Sequence, residues 1–344
     1  MQELTIRRPD DWHLHLRDGA ALAAVVPFSA QRFARAVIMP NLSPPITTTA
    51  AALAYRNRIV AALPAAASFT PLMTLYLTDA TVPEEIDRAA ASGAVVGCKL
   101  YPAGATTHSE SGVTDIRRLD GVLERMSERS LTLQVHGEVS DADVDVFDRE
   151  ARFIERVLAP LAERLPKLRM VFEHVTTRAA VDYVCSARPG VAATITPQHL
   201  LLNRNALFQG GIRPHLYCLP VLKREADRQA LLGVIGRGDP RFFLGTDSAP
   251  HARRAKEAAC GCAGIFSAHA GIELYAEIFE QAGALSKLED FAASFGADFY
   301  RLPRNRGTIT LERRSWMPPA FYPLGSDELV PWRAGESIAW ALRP

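Results

Sequence analysis

Short apolar runs rich in β-branched residues recur along this chain, and a helix-prone stretch separates most of them from the next. The strand candidates are 3–7 with 11–16, then 35–40, 69–77, 94–101, 131–136, 168–174, 191–196 and 241–246. Between them lie alanine-, glutamate- and arginine-rich stretches at 47–63, 83–92, 114–129, 149–164, 177–187 and 223–236; a further helix pattern at 270–282 follows the last strand. Alanine-rich patches at 20–24, 50–54 and 61–67 are also helix-prone. Val-Thr-Asp-Ile at 113–116 and Thr-Val-Pro-Glu-Glu at 81–85 read as helix starts, with threonine at the cap and acids in the first turn. Buried strands that alternate with helices require a parallel sheet joined by right-handed crossovers. Eight such units spread over about 250–300 residues fit an α/β chain closed into a (β/α)8 TIM barrel. An open doubly wound sheet would carry a Gly-rich phosphate turn after its first strand, and none is present.

The 344 residues are 48% hydrophobic with a formal net charge of +1, so a large core is possible and no nucleic acid or anionic membrane is called for. No apolar run approaches the roughly 20 residues of a membrane span. Glu3, Arg7, Arg8 and Asp10 make the start too charged for a signal peptide. Five cysteines (Cys98, Cys185, Cys218, Cys260, Cys262) are too few and too scattered for a disulfide framework and read as reduced thiols in a cytoplasmic protein. Cys260-Gly-Cys262 is a possible soft metal pair, but there is no second pair to complete a four-cysteine site. From Leu302 onward the texture changes to prolines (303, 318, 319, 323, 331, 344) and short alternating runs at 308–311 and 337–342. Residues 303–344 are therefore expected to form a small β-rich C-terminal appendage of a single domain, 1–344.

Chemistry collects first in Asp-Asp-Trp-His-Leu-His-Leu-Arg-Asp at 10–18. Alternate strand residues share a face, so His13, His15 and Arg17 would line one side while Trp12, Leu14 and Leu16 line the other. Two neutral imidazoles on a stiff strand make half of a metal site, although a polar strand face near a terminus can carry two histidines for no such reason. The remaining polar residues decide it. Asn41 follows the second strand, Lys99 is near the end of another, and His136, His174 and Asp247 each end one. In a parallel barrel all of these ends open on one face, where active sites form. Burying so many polar groups without partners would cost several kcal/mol, and a metal centre supplies partners. Lys99 has no lone pair while charged and cannot ligate a cation. Beside two divalent ions its pKa would fall, exposing an amine that can react with carbon dioxide to a carbamate able to bridge two metals. A lysine snorkelling to the rim is the other reading of the same residue.

The small and polar residues of 102–114 cannot pack a core, and the segment reads as a mobile lid over the site. Taken together, these motifs resemble the dihydroorotases of the amidohydrolase superfamily, of the compact bacterial and fungal type. The matching stretches are Arg8-Pro-Asp-Asp-Trp-His-Leu-His-Leu-Arg-Asp-Gly19, Met39-Pro-Asn-Leu42, Lys99-Leu-Tyr-Pro-Ala-Gly-Ala-Thr-Thr107, His136-Gly-Glu138 and Phe172-Glu-His174. Further on come Thr196-Pro-Gln-His-Leu200, Leu219-Pro-Val-Leu-Lys223, Gly245-Thr-Asp-Ser-Ala-Pro-His-Ala252 and Cys260-Gly-Cys-Ala-Gly264. They run in family order from residue 8 to about 300, and as a set they are specific where a bare His-x-His is not.

The resemblance implies two Zn²⁺ ions: His13, His15 and Asp247 on one, His136 and His174 on the other, bridged by carbamylated Lys99 (N6-carboxylysine) and a hydroxide. Two such ions against a carbamate, a carboxylate and a hydroxide leave about one positive charge, which suits an anionic substrate. It further implies that Asp247 is the catalytic acid/base, and that Arg17, Asn41 and His251 grip a substrate carboxylate. Thr106, Thr107, His136, Leu219, Ala249 and Ala263 complete the substrate-binding set. His199 would shape the wall behind the metals, while His108 and His269 are expected to be solvated and Cys218, Cys260 and Cys262 to be packing thiols. The activity implied is reversible cyclisation of N-carbamoyl-L-aspartate to L-dihydroorotate plus water in pyrimidine biosynthesis, by a cytoplasmic homodimer. A hydantoinase or allantoinase shares the metals but not the carboxylate clamp. A catalytically silent homologue would have lost a ligand, and a mononuclear deaminase would not need Lys99.

Overall fold

A computed structural model describes residues 2–343. The strands are β1 (Glu3–Arg7), β2 (Asp10–Leu14), β3 (Arg35–Ile38), β4 (Thr70–Tyr76), β5 (Val95–Leu100), β6 (Thr132–Val135), β7 (Met170–Phe172), β8 (Val191–Ile195), β9 (Phe242–Leu244), β10 (Thr308–Glu312), β11 (Tyr322–Leu324), β12 (Asp327–Leu329) and β13 (Ala341–Leu342). Strands β2 to β9 form one eight-stranded sheet in chain order, and every neighbouring pair is parallel. The sheet closes on itself through a parallel bridge between Leu14 and Ser248. At this seam the Asp247 amide donates to the His13 carbonyl (2.9 Å) and the His15 amide to the Ser248 carbonyl (3.1 Å). This is the TIM barrel expected from the alternation, and its closing seam runs through the His-x-His stretch.

Helices cover the outside, among them Gly19–Arg32, Thr49–Ala61, Pro83–Ala91, Arg178–Ser186, Glu225–Arg237 and Gly271–Gln281. Residues 149–164 are helical throughout, with a wider turn at Ile154–Leu158. No helix among the described residues is long and apolar enough to cross a membrane. Three local expectations are corrected. Thr81 does not cap the helix at Pro83; its hydroxyl accepts from the Thr78 amide, and the cap position is Val82. Asp115, not Thr114, caps the turn at Ile116–Leu119, because the Thr114 hydroxyl is committed to Asp79 (2.6 Å). The alanines of 61–67 leave the helix at Ala61, since Pro64 has no amide proton to continue it.

The face assignment on β2 is also corrected. The register slips between Asp11 and Leu14. Such an irregularity resets the two-residue alternation. Trp12 therefore points into the barrel with Val37, Phe243 and Tyr300, while Leu14 and Leu16 join the main core between sheet and helices. Trp12 stacks on Tyr300 at 4.7 Å between ring centroids with 6° between planes. Gly296 makes this possible, because a Cβ there would lie 2.0 Å from Trp12 Nε1. The helix Phe295–Phe299 and Tyr300 thus fill the interior near the strand N-termini, leaving the other end for polar groups.

Strand β1 stays outside the barrel. It pairs antiparallel with β10 from Glu3–Glu312 to Arg7–Thr308, and β10 pairs with β13. The β-rich tail is thus tied to the N-terminus of the chain. It is anchored by the fully buried Trp340 and by the Arg333–Glu277 ion pair (3.0 Å).

Candidate active site

Five strands leave the six expected ligands at the open end. His13 is on β2 and Lys99 on β5; His15, His136, His174 and Asp247 follow β2, β6, β7 and β9 within a few residues. All six are buried. The four imidazoles form a chain, His15–His13–His174–His136, with ring centroids 5.4, 5.0 and 4.9 Å apart. Asp247 Oδ1 lies 3.0 Å from His15 Nε2 and 3.4 Å from His13 Nε2. Arg17, His174 and Asp247 have left-handed backbones (φ 55°, 41° and 46°). That conformation costs about 1–3 kcal/mol for such residues and persists only where the surroundings impose it. For His174 the Thr194 hydroxyl accepts its amide at 2.7 Å, and for Asp247 the His13 carbonyl does so.

Buried carboxylates aim these ligands. Glu173 Oε2 lies 2.9 Å from His13 Nδ1 and accepts from the Thr194 hydroxyl (2.6 Å). That contact makes His13 Nδ1 the protonated nitrogen and leaves Nε2 with a free lone pair facing Asp247. Glu138 Oε2 lies 3.1 Å from His136 Nε2, with Lys223 Nζ 3.8 Å from its other oxygen. Asp11 accepts from the Thr246 amide (2.9 Å), the Thr246 hydroxyl (2.6 Å) and the His13 amide (3.2 Å), so one carboxylate holds both sides of the barrel seam.

Burial, then the nearby Lys99 charge, pushes His13 and His174 well below the ordinary histidine pKa. Neutral imidazoles keep the lone pairs that a cation needs. Burial likewise pulls the Lys99 ammonium down to about 8. Its Nζ is buried, lies 5.1 Å from the Tyr101 ring centroid and has no hydrogen-bond partner, and His174 Nδ1 is also without one. Burial alone would raise the Asp247 carboxyl, but the His15 hydrogen bond, the adjoining His13 and His15 rings and the Lys99 ammonium bring it down to about 2. Donor atoms of His13, His15 and Asp247 all lie within 4.8 Å of one another. The donor set and the orphaned buried nitrogens fit a metal centre better than a satisfied polar core.

The pocket above these groups is lined by His13, His15, Arg17, Asn41, Thr106, Thr107, His136, His174, Leu219, Asp247, Ala249 and Ala263, all expected from the sequence. His251 borders it: its Nε2 lies 2.8 Å from Arg17 Nη2 and 3.0 Å from the Ala263 carbonyl. Arg17 Nε donates to the Pro250 carbonyl (3.1 Å). Asn41 Nδ2 donates to the Thr107 carbonyl (3.3 Å), so the 102–114 segment lies against the pocket. His199 is buried between the Thr196 hydroxyl (2.7 Å) and the Pro220 carbonyl (3.0 Å).

Tyr101 and Gly264 also line the pocket and had no assigned role. Tyr101 was within reach of the sequence, being two residues from Lys99 on one strand face. Glu173 and Glu138 sit inside the quoted motifs, but their task as histidine partners depends on contacts that spacing does not reveal. Two expectations fail. His269 is not solvated but buried among Phe266, Trp316 and Tyr322, because the tail folds over it. Cys260 is not a packing thiol but exposed at a turn, and Cys262 is half-buried; only Cys218 of the three is fully buried.

Comparison with known proteins agrees with this geometry. Residues 10–314 match the amidohydrolase family. The dihydroorotase of Methylobacillus flagellatus is 64% identical over 340 residues, covering 99% of both chains. The crystal structure of dihydroorotase from Campylobacter jejuni superposes with a TM-score of 0.91 at 36% identity, over 99% of this chain and 98% of that one. That of dihydroorotase from Saccharomyces cerevisiae in complex with 5-fluoroorotic acid gives 0.91 at 33% identity, over 100% and 99%. With this barrel, this cluster of strand-end ligands and relatives matched over their full length, the chain belongs to the amidohydrolase family, among the dihydroorotases.

Proposed function

We propose that this chain is a dinuclear zinc dihydroorotase that interconverts N-carbamoyl-L-aspartate and L-dihydroorotate plus water in pyrimidine biosynthesis. The observation that carries the reading is the Arg17–His251 pair on the rim of the same pocket whose floor is His13, His15, His136, His174 and Asp247. A guanidinium fork beside a cluster of neutral imidazoles suits a substrate with both a carboxylate and a hydrolysable amide. His13, His15 and Asp247 would hold one zinc, His136 and His174 the second, with Lys99 as its carbamate between them. Bound there, such a pair would supply Lewis acidity and make a water easier to deprotonate near neutral pH.

The chain's own residues do the rest. Arg17, with Asn41 and His251, holds the substrate carboxylate and so fixes the ring over Asp247. The Leu219, Ala249 and Ala263 backbones border the ring, and Thr106 and Thr107 cover it. In hydrolysis the C–O bond forms as the ring C–N bond breaks; Asp247 takes the proton of the attacking water and gives it to the leaving nitrogen. In the biosynthetic direction the ureido nitrogen attacks the side-chain carboxyl carbon and gives its proton to Asp247; the C–N bond forms as a C–O bond breaks, and Asp247 passes the proton to the departing oxygen, which leaves as water. The reading includes one domain over 1–344, a homodimer and a cytoplasmic setting, with the family as the basis for the last two.

The test is an assay of purified protein on L-dihydroorotate and on dihydrouracil, which lacks the carboxylate, with zinc counted on the same sample. Turnover of dihydroorotate alone with about two metals per chain is expected from the dinuclear site. Equal turnover of both moves the chain to the hydantoinase-like reading, and inactivity with metals bound makes it a silent homologue.

A further inference from the structure

The helix Arg253–Lys256 begins two residues after His251, and its last residue turns inward. Lys256 is 3% exposed, unusual for a lysine. Its Nζ donates to three main-chain carbonyls: Tyr217 (2.8 Å), Cys262 (2.7 Å) and Gly264 (2.7 Å). An ammonium has three protons, so all are used and no carboxylate partner is needed to satisfy them. Those carbonyls belong to two segments far apart in the chain. One leads into Leu219; the other flanks Ala263. Leu219, Ala263 and Gly264 all face the pocket. The Gly264 amide also donates to the Tyr217 carbonyl (3.0 Å), so the two segments meet at the lysine. The fit around Gly264 is tight: a Cβ there would lie 2.7 Å from Ala249 Cβ and 2.9 Å from His251 Cδ2. The Ala263 carbonyl lies 3.0 Å from His251 Nε2, and the same nitrogen lies 2.8 Å from Arg17 Nη2.

We propose that Lys256 is a positioning residue: its ammonium fastens the Tyr217 and Cys262–Gly264 main chains together and thereby sets the wall that binds the substrate, from Leu219 through Ala263 to His251 and Arg17. The proposal rests on the substrate reading above. Lys256 touches neither the reacting atoms nor the metal ligands. Its loss should therefore weaken substrate binding more than it slows the chemical step.

The experiment uses Lys256→Met, which keeps length and apolar volume but removes all three donors, and Lys256→Arg. Four quantities are measured: KM and kcat on L-dihydroorotate, zinc content, and hydrogen exchange of the Ala263 and Gly264 amides with and without added zinc. For Lys256→Met we expect KM to rise tenfold or more, kcat to stay within threefold, zinc content to be unchanged, and the Gly264 amide to exchange at least tenfold faster while the strand amides stay protected. Lys256→Arg should fall between, because a planar guanidinium cannot aim three N–H groups at carbonyls that converge on one atom. A residue important only for stability would reduce the active fraction, and so apparent kcat, while leaving KM alone. The proposal is overturned if KM stays within twofold in an active protein, or if exchange at Gly264 is unchanged. If the wild type does not turn over dihydroorotate, the substrate reading fails and the exchange rates alone decide the role of Lys256. If Lys256→Met does not fold, a wild-type KM and wild-type exchange in Lys256→Arg overturn it.

Discussion

Replacing Arg17 by methionine should separate carboxylate recognition from the rest of catalysis. Methionine keeps most of the apolar stem of the side chain and removes every donor. The guanidinium Nε is already committed to the Pro250 carbonyl, and one Nη2 proton faces His251. That leaves the Nη1 protons and the second Nη2 proton for substrate. A carboxylate can thus take one or two charge-assisted hydrogen bonds, each worth about 1.5–3 kcal/mol against water. Water that reaches the vacated donor site would offset part of this, so a net loss of about 2–4 kcal/mol is expected. At 1.36 kcal/mol per decade, kcat/KM on L-dihydroorotate should fall roughly 30- to 1000-fold. Whatever slow turnover of dihydrouracil the enzyme has should change by less than about threefold, because that substrate never used the contact. The assay is initial rates of both substrates on both proteins, with zinc content as a control on the site beneath. Equal losses on the two substrates would mean that Arg17 acts through the fold or the metals, and an unchanged rate on dihydroorotate would place the carboxylate elsewhere.

Other consequences can be checked in the same preparation. Lys99→Ala removes the buried, unpartnered nitrogen that we propose to be carbamylated, so metal content as well as activity should drop; a variant that still carries two zincs ends the carbamate proposal. Gly296→Ala drives a methyl to within 2.0 Å of Trp12 Nε1, in a ring already wedged on Tyr300. Overpacking a rigid aromatic costs about 1–3 kcal/mol or more, which a urea midpoint will register, and an unshifted midpoint contradicts the packing described. His269 supplies a pH dependence. Burial first, then Arg32, lowers its pKa to about 3 from an ordinary 6.5. The unfolded chain therefore takes up this proton first as pH falls. The stability linked to it is complete above about pH 6.5 and drains away towards pH 3, by several kcal/mol in all. In His269→Phe the urea midpoint should fall less between pH 7 and pH 4.5 than in the wild type, and parallel curves would show that the imidazole does not titrate as argued.

Much of the barrel was legible in the sequence because its signals are local. Strand runs of three to seven residues, separated by helices, announce themselves by composition and period, and eight of them in a row leave few topologies. The polar residues that end five of these runs pointed to one shared pocket, since parallel strands bring their C-terminal ends to one face whatever the details of packing. What the sequence could not supply depends on residues distant in the chain. The slip in β2 that turns Trp12 inward is decided by how β2 meets β3, with Tyr300 stacked on the ring from the far end of the chain. The pairing of β1 with β10 joins segments about three hundred residues apart, and the burial of His269 requires the tail to fold back over it. The contacts that settle which histidine nitrogen carries the proton, Glu173 on His13 and Glu138 on His136, are likewise made only when the strands assemble. Local patterning determined the elements and the chemistry they carry; long-range packing, in which each contact depends on many others, decided faces, protonation and the wall that Lys256 holds.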